Sequence, residues 1–287
     1  MTNNASIYNK KSRPIDNILL GLIYISALIA VTIVVSIIGY VAYRGAGQVN
    51  WTFLTSVSST LKKTFGILPN IINTLYIIAI TLLMALPIGI GAAIYLNEYA
   101  KNAKFVRIVE FTTETLAGIP SIIYGLFGMV FFGTNLGLGF SILTGSLTLT
   151  LMILPIIIRT TTEALKTVPK GYRHGAIGMG STKWYMIRTI ILPSALPGIV
   201  TGTILAIGRI IGESAALLFT AGSVASLPKG AFSHIFTSGG TLTIQMYLSM
   251  SKASYDDAFG VGFVLLCLVL MLNFLTKIIV KLADKNK

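Results

Sequence analysis

The sequence predicts an all-α integral membrane protein with six transmembrane helices. Among its 287 residues, 54% are hydrophobic and only 11% are charged, whereas a soluble domain carries about 25% charged residues. The mean hydropathy is +0.82. The apolar residues fall in blocks of about 20, which is the length that a helix needs to cross a hydrocarbon core of about 30 Å. These observations exclude a soluble globular enzyme.

The apolar blocks and the segments between them give the order of the elements. A polar tail, residues 1–16, precedes a first span that is too long for a cleaved signal peptide and is therefore expected to be retained. A mixed connection over residues 44–70 follows, in which Trp51 and Phe53 are expected in the lipid headgroup zone. The six expected spans are residues 17–43, 71–96, 115–133, 138–158, 192–221 and 258–280.

The placement of the basic residues predicts the topology. The net charge is +13, and most of the 22 Lys and Arg residues lie near the chain ends and in the second and fourth connections. Because cytoplasmic segments are enriched in basic residues, both termini are expected in the cytoplasm of a cell-membrane protein, and nucleic-acid binding is not expected. The residues on the expected cytoplasmic side are Lys10, Lys11, Arg13, Lys101, Lys104, Arg107, Arg159, Lys166, Lys170, Arg173, Lys183, Arg188, Lys277, Lys281, Lys285 and Lys287.

Cysteine and histidine are scarce. Cys267 is the single cysteine, which excludes an intramolecular disulfide, and it is expected to be buried by packing in the last span. His174 and His234 are the two histidines and fall in connections on opposite sides. A metal site built from histidine and cysteine is therefore not expected, nor is a protein-bound cofactor.

Arg209 and Glu213 lie deep in the fifth apolar block. Their i to i+4 spacing is expected to put them on one helix face, in a lining of small residues formed by Gly202, Ala206, Gly212 and Ala216. A charged side chain at mid-membrane costs about 2.5–3.5 kcal/mol even on the lower scales, so this face has to meet protein or a watery pathway. Arg209 is suited to bind an oxyanion, and Glu213 would limit its attraction. A packing ion pair is the alternative.

The fifth block also contains two pairs of glycines at helical spacing. Gly198 and Gly202 form one small-xxx-small frame, and Gly208 and Gly212 form a second. Such frames allow two helices to approach closely. A partner helix is therefore expected, either within the chain or in another subunit.

The fourth connection, residues 159–191, has helical spacing and a mixed charged and apolar surface. Its stretch GAIGMGSTK is similar to a phosphate-binding loop, but Ser181 stands where the lysine is required and Lys183 comes too late. No strand precedes it, so an ATP site in this chain is excluded. The energy for any active process has to come from another protein.

The same connection resembles the cytoplasmic signature of the permease subunits of ATP-binding-cassette importers. That signature reads Glu-Ala-Ala, three residues, Gly, nine residues, then Ile-x-Leu-Pro. His174 and Gly175 stand where the family prefers Glu and Ala. The resemblance implies that His174 to Gly180 forms a coupling helix that docks into a cleft of an ATPase subunit. The matching positions are Ala176, Gly180, Ile190, Leu192 and Pro193.

Three further segments resemble one group within that superfamily, the PstA permeases of phosphate importers. LAGIPSIIYGLFG (116–128) and GRIIGESAALL (208–218) resemble their third and fifth spans, and TLTIQMY (241–247) resembles their external segment. The resemblance implies a type I, MetI-like importer bundle with its permease core over residues 71–281. The core would include the coupling loop 159–191 and an external loop 222–257, before a tail over residues 282–287.

The resemblance also implies a function and partners. The chain would be a non-enzymatic half of an inorganic phosphate pathway, with Arg209 and Glu213 at the pathway. It would stand beside a PstC-like permease, a PstB-like ATPase dimer and a PstS-like phosphate-binding protein.

The sequence leaves other functions open. A permease for sulfate or molybdate, or the PstC-type sister subunit, would share the same physical features. An ion-coupled secondary transporter with Glu213 as proton carrier would predict internal repeats of the spans, which the sequence does not display. A structural scaffold would leave Arg209, Glu213 and the docking spacing unexplained.

Overall fold

The computed structural model describes residues 14–59, 64–228, 230 and 232–284. Strands β1 (Val57–Ser59) and β2 (Thr64–Ile67) pair antiparallel in a small hairpin, and a 3-10 turn covers Ser233–Phe236. The helices in chain order are α1 (Pro14–Ala46), α2 (Trp51–Thr55), α3 (Leu68–Ile94), α4 (Ala103–Ala117), α5 (Ser121–Gly128), α6 (Ile142–Thr167), α7 (Lys170–Gly178), α8 (Lys183–Met186), α9 (Leu192–Gly212), α10 (Ala215–Thr220), α11 (Leu242–Ser251) and α12 (Tyr255–Asp284).

Three π-helical stretches extend these helices. They continue α3 over Tyr95–Tyr99, continue α5 over Met129–Asn135, and join α8 to α9 over Ile187–Ile191. The last one comes just before Pro193, which has no N–H to donate to the preceding turn and so interrupts the regular ladder.

The helical membrane fold predicted from the sequence is confirmed. Within the described ranges, five segments are long and apolar enough to cross a membrane, and α4 with α5 makes a sixth if the bent pair counts as one span. The small β-hairpin lies in the connection over residues 44–70 and is not predicted from the sequence. Trp51 is exposed there, whereas Phe53 is buried in the core and packs against protein.

Two spans expected to be single helices are broken. The third is expected over residues 115–133, but α4 and α5 meet at 98°, because Pro120 disfavours a helical conformation at Ile119. The fifth is expected over residues 192–221, but the helical segment begins already at Lys183 and ends at Gly212, and α10 starts afresh beyond Glu213. The fourth span also runs further than expected, from Ile142 to Thr167.

Helix α6 lies at the centre of the bundle and packs against both α3 and α9. Gly198 and Gly202 on α9 approach α6 so closely that a methyl group at either position would clash with Ala164 or Thr160. The first small-xxx-small frame is therefore used within the chain, as predicted. Gly208 and Gly212 meet no side chain at such a distance.

The buried residues in the described part of the chain form two hydrophobic clusters. The larger contains Ile77, Leu149, Ile153, Ile210 and Leu217 and fills the middle of the bundle. The smaller lies where α7 and α8 meet the ends of α3 and α6. We call this the α7 end of the bundle and the opposite one, which carries α11, the α11 end. The smaller cluster comprises Ala93, Ala164, Leu165, Val168, Ala176, Met186, Ile187, Ile191, Ala195 and Ile199.

Helix α1 lies at the periphery and packs chiefly against α12. Gly45 fits against the backbone of Phe259, and Arg44 contacts Asp256 at 3.5 Å and the Phe259 ring at 5.5 Å. Most other side chains of α1 are exposed and suited to a lipid or protein environment. Cys267 on α12 is also exposed, so its predicted burial within the chain is wrong.

Candidate functional site

The break between α9 and α10 is built around Glu213. Its backbone is extended (φ −82°, ψ 121°), which ends α9 at Gly212. Its Oε1 accepts a hydrogen bond of 3.1 Å from the N–H of Ala216, one of the donors that the start of α10 leaves without a helical partner. Its carbonyl oxygen accepts a hydrogen bond of 3.0 Å from Thr243 Oγ1. The break is therefore held on both sides by specific hydrogen bonds.

Arg209 lies one turn before this break and reaches the surface. Half of its side chain is exposed, whereas that of Glu213 is 6% exposed, and Arg209 Nη2 lies 4.0 Å from Glu213 Oε2. This distance is the outer limit of an ion pair and longer than a charge-assisted hydrogen bond. The guanidinium is thus close to a compensating charge without being tightly bound by it.

The lining of small side chains expected around this pair is only partly present. Gly202, Ala206 and Ala216 are buried against other helices, while Gly212 is exposed beside Arg209. The expectation of one shared helical face is wrong because Glu213 has left the helix. The two charged groups meet across the break instead.

The broken spans touch each other near their breaks. Gly125 of α5 lies against the backbone of Ala216 in α10, with no room for a Cβ atom. Ile122 in the first turn of α5, Ser214 at the other break and Tyr247 of α11 line one cavity of about 200 Å³. Sequence periodicity does not reveal this meeting, because it registers only the apolar character of both spans.

Two further cavities lie between α6 and the bent α4–α5 pair. One of about 370 Å³ has charged walls near the α7 end, where Arg159 pairs with Glu163 at 3.0 Å and Lys166 pairs with Glu110 at 3.4 Å. The other, of about 420 Å³, is almost wholly apolar and shares Pro155 with the first. The bend in the third span opens this space.

The sequence signature of the fourth connection forms a helix-turn-helix at the α7 end. Ala176 is buried in the smaller hydrophobic cluster, whereas His174 and Gly175 are exposed on the outer side of α7. Gly180 ends the motif with φ +79°, a left-handed conformation that glycine adopts without strain. Its N–H donates to the carbonyl of Ile177 at 2.9 Å.

The end of the signature enters the fifth span. Ile190 and Leu192 pack partly buried against the smaller cluster, and Pro193 opens α9. The signature residues therefore connect α7 to the start of a span through one continuous packed segment. The outer side of this motif exposes apolar side chains, namely Tyr172, Ile177, Met179, Trp184 and Tyr185.

Glu98 and Arg173 form a buried contact at the α7 end that the sequence does not reveal. Their side chains are 5% and 18% exposed, and Arg173 Nη2 lies 2.8 Å from Glu98 Oε1. In the sequence Arg173 contributes only to the topology pattern, and the partners are 75 residues apart. Only the fold brings them together.

A polar network at the α11 end was also missed. His234 Nε2 lies 2.7 Å from Asn73 Oδ1, and Asn70 Nδ2 donates to the carbonyl of Gly240 at 2.9 Å. Thr74 Oγ1 accepts a hydrogen bond of 3.0 Å from the N–H of Leu242. These bonds fix the segment before α11 to the start of α3.

Comparison with known families assigns the chain. The profile of the family described as "Binding-protein-dependent transport system inner membrane component" matches residues 85–287, a range that includes the α9–α10 break and the helix-turn-helix. This chain belongs to that family. Among its relatives is the probable ABC transporter permease protein YqgI of Bacillus subtilis, 38% identical over 72% of this chain and 70% of that protein.

Two other relatives are phosphate transport system permease proteins PstA. The one from Haemophilus influenzae is 34% identical over 76% of each chain. The one from Mycobacterium leprae is 32% identical over 90% of this chain and 86% of that protein. The chain is thus similar to PstA proteins over most of its length.

Solved structures confirm the type I importer permease fold. A bacterial alginate ABC transporter has a chain with a TM-score of 0.68 at 16% identity, covering 96% of this chain and 99% of that one. The MetNI methionine ABC transporter has one with a TM-score of 0.58 at 22% identity, covering 75% of this chain and 93% of that one. At these identities the likeness concerns the fold alone.

Proposed function

We propose that this family member is the permease subunit of an ATP-driven importer of inorganic phosphate and forms half of its pathway. The half-exposed Arg209 beside a helix break carries the proposal, because it is a permanent cation in the last turn of an apolar helix, with a planar fork suited to phosphate oxygens. The similarity to PstA proteins supports phosphate over sulfate or molybdate.

Glu213 gives the phosphate site its reversibility in this proposal. At 4.0 Å its carboxylate offsets part of the Arg209 charge while leaving the guanidinium donors free to turn toward an anion. A fully uncompensated arginine would hold phosphate too tightly for passage, since conduction requires binding that is also weak enough to release.

Helix α7 is the coupling element in this proposal. Its exposed face with His174 and Gly175, together with the apolar side chains around it, would dock on an ATPase subunit. The movement of the docked helix would pass to α9 through the smaller cluster. The residues that would transmit it are Ala176, Gly180, Ile190, Leu192 and Pro193. The α7 end and both termini would then face the cytoplasm of a cell-membrane protein.

The similarity to PstA proteins supports a proposed assembly of four kinds of protein. A PstC-like permease would supply the other half of the pathway, a PstB-like dimer would hydrolyse ATP, and a PstS-like protein would deliver phosphate at the α11 end. ATP-driven closure of the ATPases would move α7 and open the pathway to the α11 end, as in alternating access.

The test is phosphate uptake into proteoliposomes that hold the four proteins. We expect uptake that needs both ATP and the binding protein. Uptake that follows a proton gradient without ATP would contradict the proposal and favour a secondary transporter. ATP-dependent uptake of sulfate or molybdate instead of phosphate would support the importer function but contradict phosphate as its substrate.

Arg209→Lys tests the assigned residue in the same vesicles. Lysine keeps the charge but loses the paired donors, and a hydrogen bond to a charged group contributes about 1.5–3 kcal/mol. We expect the uptake efficiency to fall by about tenfold to a hundredfold, with a larger loss in Arg209→Met. Unchanged uptake in Arg209→Met, in a normally assembled complex, would remove Arg209 from the pathway.

A further inference from the structure

The contact between Glu98 and Arg173 joins more of the molecule than an ordinary ion pair. Arg173 on α7 donates to Glu98 Oε1 through both Nε (3.0 Å) and Nη2 (2.8 Å). Its Nη1 donates to the carbonyl of Val168 (2.8 Å), and its Nη2 donates to that of Leu165 (2.9 Å). One guanidinium therefore ties α7 to the end of α3 and to the last carbonyls of α6.

The receiving carboxylate is itself held in place. Asn97 Nδ2 donates to Glu98 Oε1 at 2.7 Å, in the π-helical turn that ends α3. Lys183, at the start of α8, contacts the backbone carbonyl of Glu98 and lies 4.8 Å from the centre of the Tyr99 ring. The turn around Glu98 thus touches both helices of the helix-turn-helix.

We propose that Glu98 and Arg173 are positioning residues that transmit the movement of α7 to α3 and α6. This inference rests on the proposed coupling role of α7. The smaller cluster brings α7 into apolar contact with α3, α6 and α9, and the ion pair adds a directional polar connection from α7 to α3 and α6. Because Glu98 is buried, Arg173 is 18% exposed and both are oriented by several bonds, a movement of α7 would carry the ends of α3 and α6 with it.

The double variant Glu98→Gln/Arg173→Met separates transmission from stability. Removing one partner leaves a buried unpaired charge and destabilises the fold, whereas removing both often leaves stability nearly unchanged. We expect the double variant to assemble and to melt close to the wild type. We also expect the phosphate transported per ATP hydrolysed to fall at least tenfold, because the ATPases still act but α3 and α6 no longer follow α7.

Asp256→Asn is the matched control, since it removes an exposed ion pair at the α11 end. We expect its transport per ATP to equal that of the wild type. A double variant that couples as well as the wild type would overturn the positioning role and leave a structural pair only. Absence of phosphate uptake by the wild type itself would count against the proposed function instead.

Amide hydrogen exchange tests the connection without any substrate. In the purified complex, we expect the amides of α7 to exchange at least tenfold faster in the double variant than in the wild type or Asp256→Asn. Exchange in the middle of α6 should be unchanged. Equal exchange of α7 in all three proteins would overturn the proposal whatever the complex transports.

Discussion

The two carboxylate oxygens of Glu213 contact different neighbours. Oε1 accepts the N–H of Ala216 and so fixes the start of α10, while Oε2 faces Arg209. The first role needs only a hydrogen-bond acceptor, whereas the second needs a negative charge. Glutamine supplies the acceptor without the charge, and alanine supplies neither.

Substitution at Glu213 should therefore separate the two roles. In Glu213→Gln we expect the helix break to persist and Arg209 to hold phosphate more tightly. The phosphate concentration for half-maximal uptake and the maximal rate should both fall severalfold, as measured in proteoliposomes. Glu213→Ala should also lower the free energy of unfolding by about 1 kcal/mol, as the loss of a helix cap does. A higher half-maximal concentration in Glu213→Gln would contradict this role.

His234 is the titratable group of the network at the α11 end, in a segment outside the spans. Burial lowers the pKa of His234 below its ordinary value, because the charged ring loses its hydration. Its Nε2 lies 2.7 Å from Asn73 Oδ1, and its Nδ1 lies 3.1 Å from Thr237 Oγ1. The centre of the Tyr76 ring lies 5.4 Å from the centre of the His234 ring. These facing groups are uncharged and do not offset a charge on the ring.

The stability of the chain should consequently depend on pH through His234. The unfolded state binds the proton more readily than the folded state, so stability is fully present above the unfolded pKa of about 6.5 and falls as the pH drops below it. We expect the melting temperature to fall between pH 7 and pH 5, and this slope to be smaller in His234→Gln. An identical slope in both proteins would show that other groups cause the dependence.

At the scale of elements, the two glycine frames of α9 differ in what they face. Gly202 lies against Thr160 of α6, whereas Gly208 meets no atom at close distance. Overpacking in a tight contact typically costs about 1–3 kcal/mol. The same substitution therefore has different consequences six residues apart.

Leucine at the two positions tests this difference. We expect Gly202→Leu to lower the melting temperature of the isolated chain, because α6 and α9 have to separate. Gly208→Leu should leave the isolated chain unchanged, and it should weaken assembly if a partner permease packs on this side of α9. Thermal melting of the chain and co-purification of the complex give the two readouts. Equal destabilisation of the isolated chain would contradict the packing described.

The sequence predicted which elements exist better than how they are interrupted. The close contact of Gly198 with α6 follows from spacing, since small residues one turn apart mark an approach surface whatever helix they meet. The break at Glu213 does not, because its causes are the bonds to Ala216 and Thr243, and Thr243 lies 30 residues away. Pro120 disfavours a helical conformation at Ile119, but a proline alone does not set the 98° angle between α4 and α5.

The candidate site, like the fold, was predicted only in part from the sequence. Arg209 and Glu213 stand out because charge is costly within an apolar block, and the helix-turn-helix stands out by its spacing. Glu98 could not be singled out, since a carboxylate at the end of a span is ordinary until its partner is known. A buried ion pair between distant positions is a property of the fold rather than of either segment.

At the scale of the whole molecule, the two hydrophobic clusters divide the bundle along the direction of the spans. The larger cluster joins α3, α6, α9 and α10 in the middle of the bundle, and the smaller joins the α7 end. The charged groups of the candidate pathway lie beside the first cluster, and the proposed docking surface lies over the second. Helices α3, α6 and α9 contribute to both clusters, and Ile90 of α3 packs against each of them.

The packing of α1 against α12 joins two spans that lie far apart in the sequence, since the contacting residues Arg44 and Asp256 are 212 positions apart. A ribosome produces α1 before α12, so α1 enters the bilayer before its main neighbour exists. Its long apolar surface allows it to remain stable in the lipid bilayer until α12 is present. The contact of Gly45 with Phe259 can form only after α12 has been synthesised, and a chain that ends before α12 would leave α1 without this contact.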